Sequence, residues 1–348
     1  MNPAAALALA LLATPAPTPN ATPQPAATPQ PAATAQATVT PLALPGREGP
    51  IGFDDLRWVP ELGRVLVPAG RTGRLDLVDP ATGAIESVAG FSEGGGRGGH
   101  GDGTTSADAG GGAIFATDRT ARTLAVVDPA TRRIVARAAL GAGPDYVRWV
   151  GATGEVWVTE PSRKAIEIFR FVPGAPPRLV PAGVVPVPDG PESLVIDPVR
   201  RRAYTNTWHD ATLAIALESR ELVARWPNGC GGARGIALDA ERGLVFVGCE
   251  EGKVVSLDAA HGGAVLGSVA VGKGVDVIDV APRRGRLYVP AGDRGDLTVV
   301  QVGASGDLRA LATVPTAPGA SCVAADAAGH AFVCDPERGR LLVLRDGS

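Results

Sequence analysis

Apolar residues occur along most of this chain in short runs, which are separated by turns rich in Gly, Pro, Asp and Asn. Such runs are typical of β-strands, and no part of the repeating region shows the periodicity of an amphipathic helix. One class of run recurs seven times, as VLVPAG, IFATDR, VWVTEP, AYTNTW, VFVGCE, LYVPAG and AFVCDP. The pattern therefore predicts an all-β fold built from repeats.

The repeat has a period of about 45 residues. The segment DDLRWV, which begins at Asp54, returns two periods later as DYVRWV, which begins at Asp145. Each unit has an alternating first run, the second run given above, a third run that ends in Asp, such as LDLVDPATG, and a fourth such as IVARAAL. Four short strands per period of this length predict a seven-bladed β-propeller of four-stranded antiparallel blades.

The last unit supplies only three strands, the third being the run LLVL at 341–344. Residues 37–44 (ATVTPLAL) precede the first unit, where an outer strand precedes every other unit. We expect this N-terminal strand to complete blade 7, because it would close the ring and cover a sheet edge. The predicted propeller domain spans residues 37–348.

The residues before the repeats predict export. The apolar run at 4–13 is too short to span a bilayer but suits a signal peptide, which we place at residues 1–16. Residues 17–36 contain ATPQPA twice and form a predicted disordered spacer rich in Pro, Ala and Thr. No later run is long enough for a transmembrane helix, so we expect a bacterial periplasmic or secreted protein.

Composition narrows the classes of partner. The 348 residues carry 33 basic and 36 acidic side chains, for a net charge of −3. With no basic excess to neutralise a phosphate backbone, duplex nucleic acid is not expected as a partner. We expect a monomer whose partner is a protein, a peptide or an envelope polymer.

The second runs also carry a family resemblance. Ala203-Tyr204-Thr205-Asn206 and the VDPATG turns resemble the YVTN-repeat β-propellers of bacteria, including YncE-like exported proteins, across residues 38–348. The stretches at 230–239, 247–249 and 274–276 resemble this group most, whereas the glycine loop at 94–103 departs from it. The resemblance implies the fold but leaves the chemistry open, because the fold hosts binding modules and enzymes alike.

In such propellers, the residue before each innermost strand lies at the mouth of the central channel, on what we call the top face. Aligning the units places there Asp54, His100 or Asp102, Asp145, Glu192, Arg234, Asp276 and Ser321. Four carboxylates on one rim raise one another's pKa values unless a cation joins them. One interpretation is a Ca²⁺ site with Asp145, Glu192 and Asp276 as oxygen ligands. The favoured alternative is a solvated funnel in which Arg234 pairs with Glu192 or Asp276.

The loop after the second strand of blade 4 carries Trp208, His209 and Asp210 to the same face. Trp208 could stack on a ligand or pack against the next blade, and the sequence leaves both open.

Four cysteines are consistent with an oxidising compartment. Cys322 and Cys334 are equidistant from Ala328, the centre of a predicted hairpin turn, so they face each other across it. Cys249 faces Ala233, close to Cys230. We therefore predict the pairs 322–334 and 230–249, with buried free thiols as the alternative.

No catalytic residue is assigned, since the sequence has no nucleophile elbow and no Cys-x-x-Cys-His haem motif. The sequence favours a non-catalytic exported scaffold that binds through its top-face funnel. The alternative is a Ca²⁺-type hydrolase or lactonase that uses Asp145, Glu192 and Asp276. Single-stranded nucleic acid, a tendency among similar proteins, is disfavoured by the acidic rim.

Overall fold

The structure is a computed structural model that describes Met1 and residues 38–46, 49–94 and 102–345. Apart from Met1, these residues belong to one compact unit spanning 36–347. The predicted signal peptide, the spacer and His100 lie outside the described residues.

The described residues form twenty-eight strands, four to a blade. The innermost strands of blades 1 to 7 are β2 (Arg57–Val59), β6 (Thr104–Gly110), β10 (Val147–Val150), β14 (Val195–Asp197), β18 (Ala233–Asp239), β22 (Asp279–Ala281) and β26 (Val323–Ala325). The second strands are β3 (Arg64–Pro68), β7 (Ala113–Asp118), β11 (Glu155–Glu160), β15 (Arg202–Asn206), β19 (Leu244–Cys249), β23 (Arg286–Ala291) and β27 (His330–Asp335).

The third strands are β4 (Thr72–Val78), β8 (Thr123–Asp128), β12 (Ala165–Val172), β16 (Ala211–Ala216), β20 (Lys253–Asp258), β24 (Asp296–Val302) and β28 (Arg340–Arg345). The outer strands are β5 (Ile85–Glu93), β9 (Arg133–Ala139), β13 (Arg178–Pro186), β17 (Leu222–Pro227), β21 (Ala264–Ala270), β25 (Leu308–Pro315) and, for blade 7, β1 (Thr38–Ala43). Two short 3-10 turns, Pro161–Arg163 and Pro282–Arg284, complete the regular structure.

The ring closes as predicted. β1 pairs antiparallel with β28, from Thr38 opposite Arg345 to Ala43 opposite Arg340, and the sheet order of blade 7 is β1-β28-β27-β26. The other six blades each use four consecutive strands. The prediction of seven four-stranded antiparallel blades is therefore confirmed, including closure by an N-terminal strand.

Burial explains why the runs differ along each blade. Second and third strands lie between neighbouring blades, so both of their faces are buried, as in β7, where every residue is buried. Outer strands have one face in solvent, and β9 alternates between exposed and half-buried positions. Six apolar clusters together fill the seven seams between blades. Packing between blades is thus the main source of stability.

The repeated Asp at the end of third strands shapes the turn that follows. The carboxylate of Asp79 accepts hydrogen bonds from the backbone N–H groups of Ala81 and Thr82, and Asp128 does the same for Ala130 and Thr131. These backbone bonds lower the pKa of Asp79, and a side-chain bond from Thr131 leads the lowering for Asp128. The DPATG pattern is therefore explained by local turn chemistry.

Both predicted disulfides are present. Cys322 joins Cys334, and Cys230 joins Cys249, with Cα–Cα distances of 5.6 and 5.3 Å. Cys249 lies opposite Ala233 in the β18–β19 ladder, as the hairpin counting predicted.

Deleting residues 37–46 should destroy cooperative folding. The deletion removes the outer strand of blade 7 together with Val39 and Leu42, which pack against two apolar clusters. These two side chains are half-buried, but the deletion also removes the buried Leu44, and full burial of such a side chain contributes about 1.5–3 kcal/mol, a large share of the roughly 5–15 kcal/mol that stabilises a domain. Thermal melting followed by circular dichroism should show no transition, or a Tm at least about 10 °C lower. Deleting residues 17–36 is the control, and an equal loss there would contradict the assigned boundary.

Replacing Cys322 and Cys334 together by Ala should lower the free energy of unfolding by about 3 kcal/mol, because the bridge closes a loop with a sequence separation of 12. Urea unfolding of the wild-type and double-variant proteins measures the change. Alkylation of the unfolded, non-reduced wild-type protein should label no thiol, and four labelled thiols would contradict both bridges.

Candidate functional site

The top face carries a polar depression that we call the funnel. Residues there belong to the loops before the innermost strands and to the ends of the second strands. A cavity of about 390 Å³ is lined by Asp54, Arg119, Gly143, Asp145, Tyr146, Pro161, Ser162, Glu192, Trp208 and Asp276. A second cavity of about 560 Å³ lies beside it, lined by Glu192, Arg234, Glu250, Gly274, Val275, Asp276, Gly292, Asp293, Gly319 and Ser321. Glu192 and Asp276 belong to both, so the two cavities form one continuous depression.

On one side of the funnel, Arg119 bridges two carboxylates. Its Nη2 lies 3.1 Å from Oδ2 of Asp54 and also contacts Oδ1 of Asp145. Burial, followed by the charge of Asp145, raises the pKa of Asp54 well above its ordinary value, although Arg119 opposes the shift. One guanidinium therefore does not fully neutralise this pair of acids.

On the other side, Arg234 joins Glu192 at 2.8 Å to Glu250 at 2.9 Å. Nε1 of Trp208 donates a hydrogen bond to Oε2 of Glu192, while 40% of Trp208 remains exposed. Burial, and next the charge of Asp145, raises the pKa of Glu192 to about 7 despite the nearby Arg234. The funnel thus has one carboxyl group, that of Glu192, with a pKa near neutral beside an exposed aromatic ring.

Second-strand side chains hold the rim in place. Nδ2 of Asn206 donates to the carbonyl oxygens of Arg234 at 3.0 Å and Gly235 at 3.1 Å, in the next blade. Within blade 4, the Thr205 hydroxyl donates to the carbonyl of Ser193, next to Glu192. The Asn of the AYTN run therefore holds the backbone of the rim residue Arg234, and the Thr holds the backbone of Ser193, the neighbour of Glu192.

The structure brings most of the predicted rim residues together. Asp54, Asp145, Glu192, Asp276, Arg234, Ser321 and Trp208 all line the funnel. Arg234 pairs with Glu192, one of its two predicted partners, and also with Glu250, which was not foreseen. Trp208 lines the cavity, where its ring is placed to contact a ligand. Stacking of that ring on a ligand stays a prediction.

Two other candidates are not among the residues that line these cavities. The carbonyl of His209 accepts bonds from the N–H groups of Gly232 and Ala233, so its backbone braces a loop. Asp102 lies against the segment at Gly94, where a Cβ added to that glycine would come within 2.9 Å of the Asp102 Cβ.

Sequence reasoning missed Arg119 and Glu250. Each is the last residue of a second run, in IFATDR and VFVGCE, which is the place that Trp208 has in AYTNTW. Aligning the last residues of the seven runs would have found them, because the turn after each second strand also reaches the top face.

The predicted cation ligands Asp145, Glu192 and Asp276 converge on one cavity. Asp145 and Glu192 already contact arginine, and no group of three His, Cys, Asp or Glu side chains in the described ranges is placed to hold a metal ion. Binding of Ca²⁺ would thus require the carboxylates to leave their arginine partners, and the cation site stays a prediction.

Comparison with known proteins supports the fold. No family model matches the sequence, and no curated protein matches it. A chain in the crystal structure of a mitotic checkpoint complex is similar at a TM-score of 0.71 and 15% identity, covering 97% of this chain and 99% of that chain. Kuenenia stuttgartiensis hydrazine synthase gives 0.70 and 14%, over 87% and 97%. A streptogramin B lyase structure gives 0.66 and 11%, over 89% and 97%.

At these identities the similarity shows the fold alone, a seven-bladed β-propeller that is compatible with an interaction scaffold. Within the described ranges, no helix has the length and apolar character needed to cross a membrane.

Replacing Arg119 by Met should destabilise the protein by about 2 kcal/mol at pH 7.5, because it leaves Asp54 and Asp145 adjacent and uncompensated. The pKa of Asp54, already raised, should rise further. A raised folded-state pKa stabilises the protein below the unfolded pKa and loses that effect as pH rises through the folded value. The difference in unfolding free energy from wild type should therefore shrink as the pH falls to 5.

The matched control is Arg132→Met, since Arg132 and Glu86 form an exposed pair with side chains 43% and 44% accessible. That variant should change stability by less than about 0.5 kcal/mol at either pH. Equal effects of the two substitutions in urea unfolding would contradict the role assigned to Arg119.

Proposed function

We propose that this chain is an exported, non-catalytic β-propeller of the YVTN-repeat type, and that its funnel binds a positively charged segment of a partner protein or peptide. The observation that carries the proposal is the charge of the funnel. Six carboxylates line the funnel beside only two guanidinium groups, those of Arg119 and Arg234; the acids are Asp54, Asp145, Glu192, Glu250, Asp276 and Asp293. Burial first, and this excess of negative charge second, raises the pKa values of Asp54 and Glu192.

A cationic side chain that entered between Glu192 and Asp276 would relieve that repulsion. Trp208 stands at the same place and would offer its face to a lysine or arginine, a contact that adds about 0.5–1 kcal/mol at an exposed site. The cavities are large enough for side chains and too small for a folded domain. An acidic envelope polymer, by contrast, would meet like charge.

Export is supported by the two disulfides, since such bridges persist in oxidising compartments. Each bridge joins the segment before an innermost strand to the end of the neighbouring second strand. The bridges would therefore also hold the rim of the funnel in place outside the cell. We further propose that the protein is a monomer in solution, with the outer strands of the ring facing solvent.

Binding of hexalysine and hexaglutamate peptides, followed by calorimetry at low salt, tests the proposal. Hexalysine should bind, and the double variant Glu192→Gln, Asp276→Asn should weaken it at least about tenfold, or about 1.4 kcal/mol. Affinity should increase between pH 6 and 8, because Glu192 ionises through a pKa of about 7. The control Glu86→Gln alters an exposed carboxylate in an outer strand. Equal binding of hexaglutamate, or unchanged binding to the double variant, would refute the proposal.

A second candidate is a Ca²⁺-dependent hydrolase or lactonase, favoured by the convergence of Asp145, Glu192 and Asp276 on one cavity. It requires about one calcium per purified chain, a Tm lowered by EDTA, and loss of both properties when Asp145 and Glu192 are replaced by Asn and Gln. Metal retention together with lactone hydrolysis would replace the scaffold proposal. A metal-free protein whose Tm is unchanged by EDTA would leave the scaffold proposal standing.

A further inference from the structure

A separate cavity lies lower in the central channel, beneath the funnel, and we call it the lower cavity. It has a volume of about 290 Å³. Its lining comes from the innermost strands of six blades and includes Pro60 and Ala240, which lie just after β2 and β18 at the face opposite the funnel. Tyr146 lines both the lower cavity and the funnel, so its side chain separates the two.

Most of the lining residues are apolar, including Trp58, Val195, Ile236 and Ile278, although polar atoms make up somewhat more than half of the exposed lining. Four charged residues also line it: Asp55, Arg57, Arg148 and Asp279. Two of these are paired with each other. Arg148 donates from its two terminal nitrogens to both carboxylate oxygens of Asp55, at 2.6 and 3.0 Å, and both side chains are buried. This bidentate pair belongs to the framework of the channel, and Nε of Arg148 is its one buried donor without a partner among the described residues.

The other two charges retain hydrogen-bonding capacity. Nε of Arg57 donates to Asp108 at 2.6 Å, but neither terminal guanidinium nitrogen of Arg57 has a partner among the described residues. Asp279 accepts only the backbone N–H groups of Val280 and Ala325, both at 2.8 Å. No ion pair joins Arg57 to Asp279 in the part of the chain that the structure describes, so a donor group and an acceptor group stand apart in one cavity.

The pKa of Asp279 indicates that its negative charge is only partly stabilised by its neighbours. Burial raises its pKa to about 6, and the two backbone N–H groups and the charge of Arg57 offset that shift only in part. The other charged groups nearby are Asp55, which raises the pKa, and the partners Arg148 and Asp108. A cation that bound directly to Asp279 would return its pKa toward the ordinary value.

We propose that the lower cavity binds a small zwitterion of the amino-acid type with an apolar side chain. Its ammonium group would donate to Asp279, its carboxylate would accept from the terminal nitrogens of Arg57, and its side chain would contact the apolar wall. The volume of about 290 Å³ suits a molecule of this size, because it lies just below the roughly 300–1,000 Å³ of pockets that hold larger, drug-sized ligands. This site is independent of the proposed function, which concerns the funnel on the other side of Tyr146.

The test is calorimetry on the full chain at pH 7.5 with three probes of similar shape: L-leucine, isopentylamine and 4-methylpentanoate. Leucine should bind, and each singly charged analogue should bind at least tenfold more weakly, because either Asp279 or Arg57 then has no partner on the ligand. Equal binding of leucine and isopentylamine would overturn the zwitterion proposal, as would absence of leucine binding up to 10 mM.

Two variants locate the site. Asp279→Asn and Arg57→Gln should each weaken leucine binding at least tenfold, whereas Glu192→Gln in the funnel should leave it unchanged. Lowering the pH from 7.5 to 5 should weaken binding to wild type about tenfold, since only about a tenth of Asp279 is ionised one unit below a pKa of about 6. If Asp279→Asn fails to fold, the same loss between pH 7.5 and 5 in the Glu192→Gln variant decides the question, because Glu192 no longer titrates there. A loss caused by Glu192→Gln but by neither lower-cavity variant would assign leucine to the funnel and overturn the proposal.

Discussion

The whole structure depends on the burial of both faces of every blade. A four-stranded blade is apolar on each side, as the fully buried second and third strands show, and only a neighbour on each side can cover it. Seven seams are therefore needed, and the last exists only because β1 joins β28. Chain closure at blade 7 is the condition under which the other six seams can persist, and this is why a short N-terminal strand matters out of proportion to its length.

The apolar seams involve the middle of each strand, so charged residues can lie at the strand ends and in the loops. The funnel and the lower cavity both place carboxylates close together, but they differ in how arginines pair with those carboxylates. In the funnel, arginines bridge carboxylates from different blades, but the acids outnumber them and the pKa of Glu192 remains near 7. In the lower cavity, one pair is closed by Arg148 and Asp55, and the second acid, Asp279, lies apart from Arg57. Each region thus keeps unbalanced charge in a place that solvent or a ligand can reach.

The fold was predictable because each blade needs the same buried runs and the same turns, and the sequence therefore repeats with the period of one blade. The cysteine pairs were predictable for a related reason, since antiparallel register places residues opposite one another at equal distances from a turn. The rim residues before the innermost strands also followed from the alignment of the units. What the sequence could not show was the pairing of Arg119 with Asp54 and Asp145, because this contact joins loops of three blades whose relative positions depend on blade twist and tilt. The pairing of Arg234 with Glu250 lies within blade 5, next to the paired residues Ala233 and Cys249, and was missed because the ends of the second runs were not aligned.

Asn206 has an implication for how such a ring changes over evolutionary time. Its side chain holds the backbone of Arg234 and Gly235 in the following blade, so a rim residue is positioned by a blade other than its own. Recombination that exchanged whole blades would separate the two halves of this contact, even if the apolar seam still packed. The unit that must be inherited together is therefore the second strand of one blade and the loop before the innermost strand of the next. Related propellers can change the chemistry of the rim by exchanging that unit.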